Sequence, residues 1–149
     1  MNMYKFVSIF FFILLTVSKI NAQTRSLGSD GILGRLQEVI NEAESRDMEV
    51  VRIEADIIRT EKESIRILDP KFTYGIIAVA SNRIQDVDVE VYKKVNNNWT
   101  LIKKDDDAKN VAAVYIKPLY YSEYKIVVKV YQFKSGFDVG HYGLTIFHD

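Results

Sequence analysis

The chain is 149 residues long, 48% hydrophobic and 27% charged, with 20 basic side chains against 20 acidic ones and no cysteine. A near-neutral charge balance lacks the basic footprint that nucleic acid selects. The absence of thiols removes disulfides, a lipid-modified N-terminal cysteine and a cysteine nucleophile, so a hydrophobic core must hold the fold.

The first 22 residues read as a cleavable secretory signal peptide. Lys5 precedes the apolar run Phe6 to Leu15, and Ala22-Gln23 follows a short polar stretch. The run is shorter than the ~20 apolar residues that span a bilayer, so cleavage after Ala22 is expected, with no transmembrane span left afterwards. Loss of Lys5 and Lys19 makes the balance slightly acidic. Residues 23–149 suffice for one domain with a core and are too few for two. Residues 23–31 form a polar N-terminal segment in which Gly28, Ser29, Asp30 and Gly31 read as a loop.

Residues 32–47 read as an amphipathic helix. Ile32, Leu33, Leu36, Val39, Ile40 and Ala43 recur at helical spacing, with Ser29 or Asp30 placed to cap the first turn. A single short helix is marginal alone in water, so its stripe needs a partner. A face or edge of the domain satisfies that need, and so does a groove on another protein.

Residues 48–149 read as a β-sandwich. Val51, Ile53, Ala55 and Ile57 alternate with Arg52, Glu54 and Asp56, which predicts a half-buried strand with the aliphatic set inward. Ile65 and Ile67 alternate with Ser64 and Arg66 in the same way, and Asp69-Pro70 ends that strand because proline cannot continue a ladder. Asn96-Asn97-Asn98 before Trp99 predicts a hairpin turn, since asparagine tolerates left-handed backbone angles. Lys103-Lys104-Asp105-Asp106-Asp107 reads as a solvated hairpin tip. Three further inward sets follow: Ala112, Val114 and Ile116; Tyr124, Ile126, Val128 and Val130; Tyr142, Leu144 and Ile146. About eight short strands with clean alternation predict a mainly β, antiparallel, jelly-roll-like sandwich carrying one N-terminal helix.

From Thr73 to the C-terminus the order of motifs resembles a known family. Tyr74-Gly75-Ile76-Ile77-Ala78-Val79-Ala80 is an aromatic followed by aliphatics, and Asp86-Val87-Asp88-Val89-Glu90-Val91-Tyr92 is similar to a D-x-D-L-x-V-Y strand entry with Val89 for the leucine. The acidic loop Asp105 to Asp107 follows. Then come Val114-Tyr115-Ile116-Lys117-Pro118, the strand Tyr124-Lys125-Ile126-Val127-Val128 preceded by Ser122-Glu123 where Ser-Gly is usual, and Gly140-His141-Tyr142-Gly143-Leu144-Thr145-Ile146. This series resembles the bacterial pre-peptidase C-terminal (PPC-like) domain, a small β-sandwich often appended to secreted proteases. The resemblance implies a sandwich fold, a periplasmic or extracellular location in a bacterium, and a role in secretion or substrate binding. No host enzyme accompanies the domain here, which implies a stand-alone module whose partner is encoded elsewhere.

Catalytic groups are scarce. No serine lies in a G-x-S-x-G elbow, and His141 and His148 are the only imidazoles, one on the outward phase of the last strand and one in a C-terminal tail expected to fray. Asp86 and Asp88, two apart on a strand and so roughly 7 Å from each other, would suit a carboxylate hydrolase only if a sugar cleft stood beside them. The expectation is a protein that is not an enzyme, with a small secreted hydrolase using carboxylates as the alternative. Asp86, Asp88, Asp105 and Asp107 are the metal-ligand candidates, joined by Asp106, because Ca²⁺ takes several carboxylate and carbonyl oxygens. As an EF-hand the loop departs at Lys109, Asn110 and Ile116. The competing reading is turn chemistry, in which aspartates bond backbone N–H groups.

Aromatic side chains supply the remaining contact chemistry. Tyr92, Trp99, Tyr120, Tyr121, Tyr131, Phe133, Phe137 and Phe147 exceed what the inward phase holds. Either the helix covers them as a second core, or they anchor a ligand. Tyr120, Tyr121 and Phe137 are the ligand-binding candidates, expected on loops at one end. The function that follows is a secreted noncatalytic binding or accessory module, with a carbohydrate, a matrix protein or an envelope protein as partner.

Overall fold

The structure, a computed structural model, describes residues 31–149. The expected signal peptide, residues 23–30 of the polar segment and the capping candidates Ser29 and Asp30 lie outside the described residues. One helix, α1 (Ile32–Glu44), precedes eight strands: β1 (Glu49–Ile58), β2 (Glu61–Leu68), β3 (Tyr74–Ala80), β4 (Ile84–Val95), β5 (Asn98–Asp105), β6 (Val111–Ile116), β7 (Ser122–Phe133) and β8 (Gly140–His148). Among the described residues no helix is long and apolar enough to cross a membrane.

The pairing is that of one long hairpin rolled up. At its tip β4 meets β5 across Asn96 and Asn97, both with positive φ (48° and 64°) as a two-residue type I′ turn requires. Outward from the tip β3 pairs with β6, β2 with β7 and β1 with β8, every pair antiparallel. The contacts of β3 with β8 and of β4 with β7 close the roll into two sheets, β1-β8-β3-β6 and β2-β7-β4-β5. This is the eight-stranded antiparallel jelly roll that the strand count and alternation predict.

Two cores hold it. Between the sheets, Ile76, Ala78, Val114, Leu144 and Ile146 meet Val87, Val89, Val91, Tyr124, Ile126 and Val128. On the outer side of the first sheet, Ile32, Leu36, Val39 and Ala43 of α1 cover Ile77, Val79, Val111 and Phe147. The helix therefore lies on a sheet face of its own domain. Buried on both sides, β3 has no exposed residue. A Cβ on Gly143 would stand 2.6 Å from Leu36 Cγ, so only glycine lets the helix sit this close to β8.

The helix stops at Glu44 rather than running to residue 47. The Ser45 N–H closes on the Asn41 carbonyl at 2.9 Å, and Asp47 enters the left-handed region at φ 56°, which a continuing helix forbids. Gly31 occupies the N-cap position, and Leu33 points to solvent instead of joining the buried stripe.

Two of the edge strands, β1 and β2, depart from their predicted phase, whereas the edge strand β6 keeps Ala112, Val114 and Ile116 inward. Val50 pairs with Phe147 on the helix side, but a one-residue bulge at Val51 makes Arg52, Glu54 and Asp56 pair with the inward residues Ile146, Leu144 and Tyr142. Without that extra residue Val51 and Ile53 would have taken those places; a shift of one flips every side chain to the other face. In β2 the buried Leu68 lies on the inward side, and Lys62, Ser64 and Arg66 share it, paired with Val128, Ile126 and Tyr124. Val51, Ile53, Ile57, Ile65 and Ile67 are exposed as a result. Charges turned inward on edge strands also discourage edge-to-edge association. His148 is likewise not in a frayed tail. It ends β8, is buried, and stacks on Phe72 with ring centroids 4.0 Å apart.

Candidate functional site

Tyr120 and Tyr121, 68% and 69% exposed, lie on the loop entering β7, and Phe137, 46% exposed, lies on the loop leaving it. The 12 residues of β7 stand between them, a separation of roughly 36 Å at ~3.3 Å per residue. Consecutive loops flanking one strand emerge at opposite ends of a sandwich. The three rings expected at one end therefore do not share a patch. Lys93 Nζ stands 4.9 Å from the Tyr120 ring, and the Arg83 guanidinium lies 5.4 Å over Phe137.

The acidic candidates are occupied by the backbone. Asp86 Oδ1 accepts the Lys109 N–H at 3.1 Å, and Asp105 accepts the Asp107 N–H at 3.1 Å and the Ala113 N–H at 2.7 Å. Asp107 pairs with Lys109 Nζ at 2.9 Å. The same segment gives its Lys109 and Asn110 carbonyls to Val87 in one sheet and Ala80 in the other, so it straps the two together. Asp88 is held above the usual carboxylate range by burial and by the charges of Asp86, Asp106, Asp105 and Glu90. Among the described residues no group of three or more His, Cys, Asp or Glu side chains is placed to hold a metal ion. Asp86, Asp88, Asp105 and Asp107 do not converge as Ca²⁺ ligands. The bond of Asp105 to the Asp107 N–H is the turn chemistry that competed with that expectation, whereas Asp86 to Lys109 and Asp105 to Ala113 tie separate segments together.

The sheet that α1 leaves uncovered carries a different set. Across its outer face Ile65, Lys125, Tyr92 and Leu101 form one cross-strand row from β2 to β5. In the neighbouring row Ile67 stands opposite Glu123 and Lys94 opposite Trp99, with Lys94 and Glu123 joined as an ion pair. Lys125 Nζ lies 5.1 Å from the Tyr92 ring centroid, 5.6 Å from that of Trp99 and 2.9 Å from Glu63. Lys94 Nζ approaches Trp99 to 5.8 Å. Tyr92 donates its hydroxyl hydrogen bond to Glu90, which also pairs with Lys129 at 2.7 Å. That bond, with burial, pushes the Tyr92 hydroxyl up. Burial alone would raise Glu90, but Lys129 and Tyr92 bring its carboxyl below the ordinary range. Two half-buried rings are thus fixed on one open face between paired charges.

The sequence groups Tyr92 and Trp99 with the surplus aromatics without singling them out. The signal was the turn. Two residues at 96–97 set Lys94 opposite Trp99, and Tyr92 shares the face of Lys94, so the hairpin alone puts both rings on one side.

The inward charges of β1 and β2 form a seam at the open edge of the sandwich. Glu54 Oε1 accepts from Ser64 Oγ at 2.8 Å, Arg66 Nη2 at 2.8 Å and Arg52 Nε at 3.0 Å, and Lys62 pairs with Asp56 at 2.6 Å. Burial would raise the Glu54 carboxyl, but the hydrogen bonds from Ser64 and Arg52 and the charges of Arg52 and Arg66 hold it below the usual range. Beside the two guanidiniums opens a cleft of about 410 Å³, floored by Leu68, Tyr74 and Ile146.

No family model matches the chain, and no curated protein matches it in sequence. Among solved structures it is similar to the Yersinia pseudotuberculosis-derived mitogen, at 17% identity and a TM-score of 0.48 over 66% of this chain and 84% of that one. It is similar to PliG of Aeromonas hydrophila, a periplasmic inhibitor of g-type lysozyme, at 8% identity and 0.45 over 68% and 86%. A third likeness is to TmCBM61, solved with β-1,4-galactotriose, at 9% identity and 0.35 over 68% and 86%. These likenesses are too distant to carry an argument about function.

Proposed function

We propose that this protein is a noncatalytic binding module of the bacterial periplasm or exterior, that it takes a polysaccharide, and that it does so on the open face of the β2-β7-β4-β5 sheet. The observation that carries the reading is the asymmetry of the two sheets. Helix α1 covers the β8-β3-β6 part of one outer face and leaves Ile53 and Ile57 of β1 exposed beside it, whereas the other outer face carries no helix among the described residues and leaves Tyr92 and Trp99 among the exposed Ile65, Ile67 and Leu101. A sugar ring has an apolar face that lies on an aromatic ring, and a rim of hydroxyls that needs donors and acceptors; Glu63, Glu123, Lys94 and Lys125 supply both around these rings. Lysines over these half-buried rings contribute ~0.5–2 kcal/mol each, which stacking of a sugar on the rings must offset. Lys93, beside Tyr92 in the chain, brings Tyr120 close, so the Tyr120–Tyr121 loop borders the Trp99 end of this face. The resemblance to pre-peptidase C-terminal domains, taken with the secretory pattern of residues 1–22, agrees with an accessory role outside the cytoplasm. No bond is made or broken in this reading: Asp86 and Asp105 are engaged with the backbone, and His148 is stacked on Phe72.

Affinity electrophoresis of the full chain through gels holding single soluble polysaccharides tests it. At least one glycan should retard the protein. Trp99→Ala and Tyr92→Ala should each weaken that retention by ~2 kcal/mol, about thirtyfold, while the variants stay folded at the assay temperature by circular dichroism. Retention by none of a broad polysaccharide panel, or retention that survives both substitutions, refutes the site.

A further inference from the structure

The seam at the β1/β2 edge inverts the pattern of a sandwich, and the inversion leaves unsatisfied chemistry. Two guanidiniums lean on one carboxylate oxygen, Glu54 Oε1. Arg52 uses only Nε for that contact, so its two terminal nitrogens have no partner among the described residues. Arg66 spends Nη1 on its neighbour, the Ile65 carbonyl. Lys62 and Asp56 neutralise each other next in line. Arg52 and Arg66 share the Glu54 carboxylate, and His148, which also lines the cleft, has Glu49 Oε2 at 3.8 Å; counted over the two guanidiniums and Glu54, one positive charge is left at the mouth. Two residues further along β2 the inward side turns apolar at Leu68, which with Tyr74 and Ile146 makes a buried floor in the same cleft. A volume of about 410 Å³ falls within the range of small-ligand sites, which pair an apolar lining with a few fixed polar groups.

We propose that this cleft binds an amphipathic monocarboxylate, with the carboxylate on the Arg52 fork beside Arg66 and the apolar body over Leu68, Tyr74 and Ile146. The planar fork of arginine matches a carboxylate in two parallel hydrogen bonds. One uncompensated charge selects a monoanion over a phosphate dianion. Glu54 is a positioning residue: it holds both guanidiniums at the mouth and competes with the ligand for them. Ile67, at the border of the Tyr92–Trp99 face, also lines the cleft, but carboxylate binding depends on neither Tyr92 nor Trp99.

A free short-chain acid and the C-terminus of an apolar peptide share this chemistry. Isothermal titration of the full chain at pH 7 with hexanoate and with acetyl-Leu-Phe, each beside its neutral methyl ester or amide, separates the two sources. At least one acid should bind saturably and at least tenfold tighter than its neutral analogue; the tighter of the two acids names the source. Arg52→Gln should weaken it at least tenfold, Arg52→Lys should fall between because the charge remains and the fork is lost, and Glu54→Gln should tighten it. Trp99→Ala should leave it unchanged. Methyl shifts confined to Leu68 and Ile146 in the NMR spectrum of the bound protein would place the apolar body. Equal affinity for acid and neutral analogue, no binding of either acid, or an Arg52→Gln protein that melts normally and binds as before overturns the proposal.

Discussion

Glu54→Gln isolates the ion network that replaces a hydrophobic core at the open edge. Glutamine keeps the shape and still offers Ser64 an acceptor, so the change removes charge and little else. Charge-assisted hydrogen bonds in a dry interior contribute ~1.5–3 kcal/mol each. Arg52 is 49% exposed and Arg66 32%, so each contact is discounted toward the ~0.2–1 kcal/mol of surface pairs. Two such contacts, plus the repulsion released between the guanidiniums, give a loss of ~1–2 kcal/mol at pH 7. For a domain of this size that lowers Tm by roughly 4–8 °C. The sign with pH follows from the direction of the shift. Because the folded carboxyl lies below its unfolded value of 4.5, the stabilisation is complete above about pH 4.5 and is lost as pH falls through the folded value. Differential scanning calorimetry of both proteins at pH 7 and pH 3 is the measurement, and the gap in Tm should narrow at the lower pH. Identical melting at pH 7, or a gap no smaller at pH 3 than at pH 7, would show that the network does not contribute in this way.

Three further outcomes rest on other parts of the fold. Gly143→Ala places a Cβ 2.6 Å from Leu36 Cγ and should lift α1 from β8 at ~1–3 kcal/mol, with partial rescue by Leu36→Ala; chemical denaturation reads it, and an unchanged midpoint refutes the close approach. Asp105→Ala removes the acceptor that joins β5 to the Ala113 N–H of β6 and should cost ~1–3 kcal/mol. Calcium should leave the Tm of the unsubstituted protein where it is, and a rise on titration would restore a metal role to the acidic loop. Burial, then Glu54 and Asp56, push the Tyr142 hydroxyl up to about 12 from 10.0. Its share of stability is therefore whole below pH 10 and lost as pH rises toward 12. Tyrosinate absorbance in an alkaline titration should show Tyr142→Phe deleting a late step, and loss of an early step instead would contradict its burial.

What the sequence disclosed, and what it hid, divides by how many neighbours decide a residue's place. Tyr124 with Ile126 and Val128, and Tyr142 with Leu144 and Ile146, lie on central strands, and Ala112 with Val114 lies on the edge strand β6, whose other face meets the helix core at Val111 and Ala113; in each, burial enforces the alternation and the period is legible. The Asn96-Asn97 turn is legible for the same local reason. The phase of β1 is not, because one bulged residue at Val51, fixed by pairing with β8 far along the chain, reverses it. The distance between Tyr121 and Phe137 is a property of topology, since flanking loops look adjacent in sequence and emerge at opposite ends of β7. Tyr92 and Trp99 stayed hidden among many aromatics because only the helix's choice of sheet leaves their face open. In this protein the edge of the roll and the sheet without a helix are where local pattern and tertiary placement disagree. At both, several apolar side chains are left in water beside fixed charge, a combination that folding alone would tend to remove. Both therefore merit assay as contact surfaces before the loops that carry the most exposed rings.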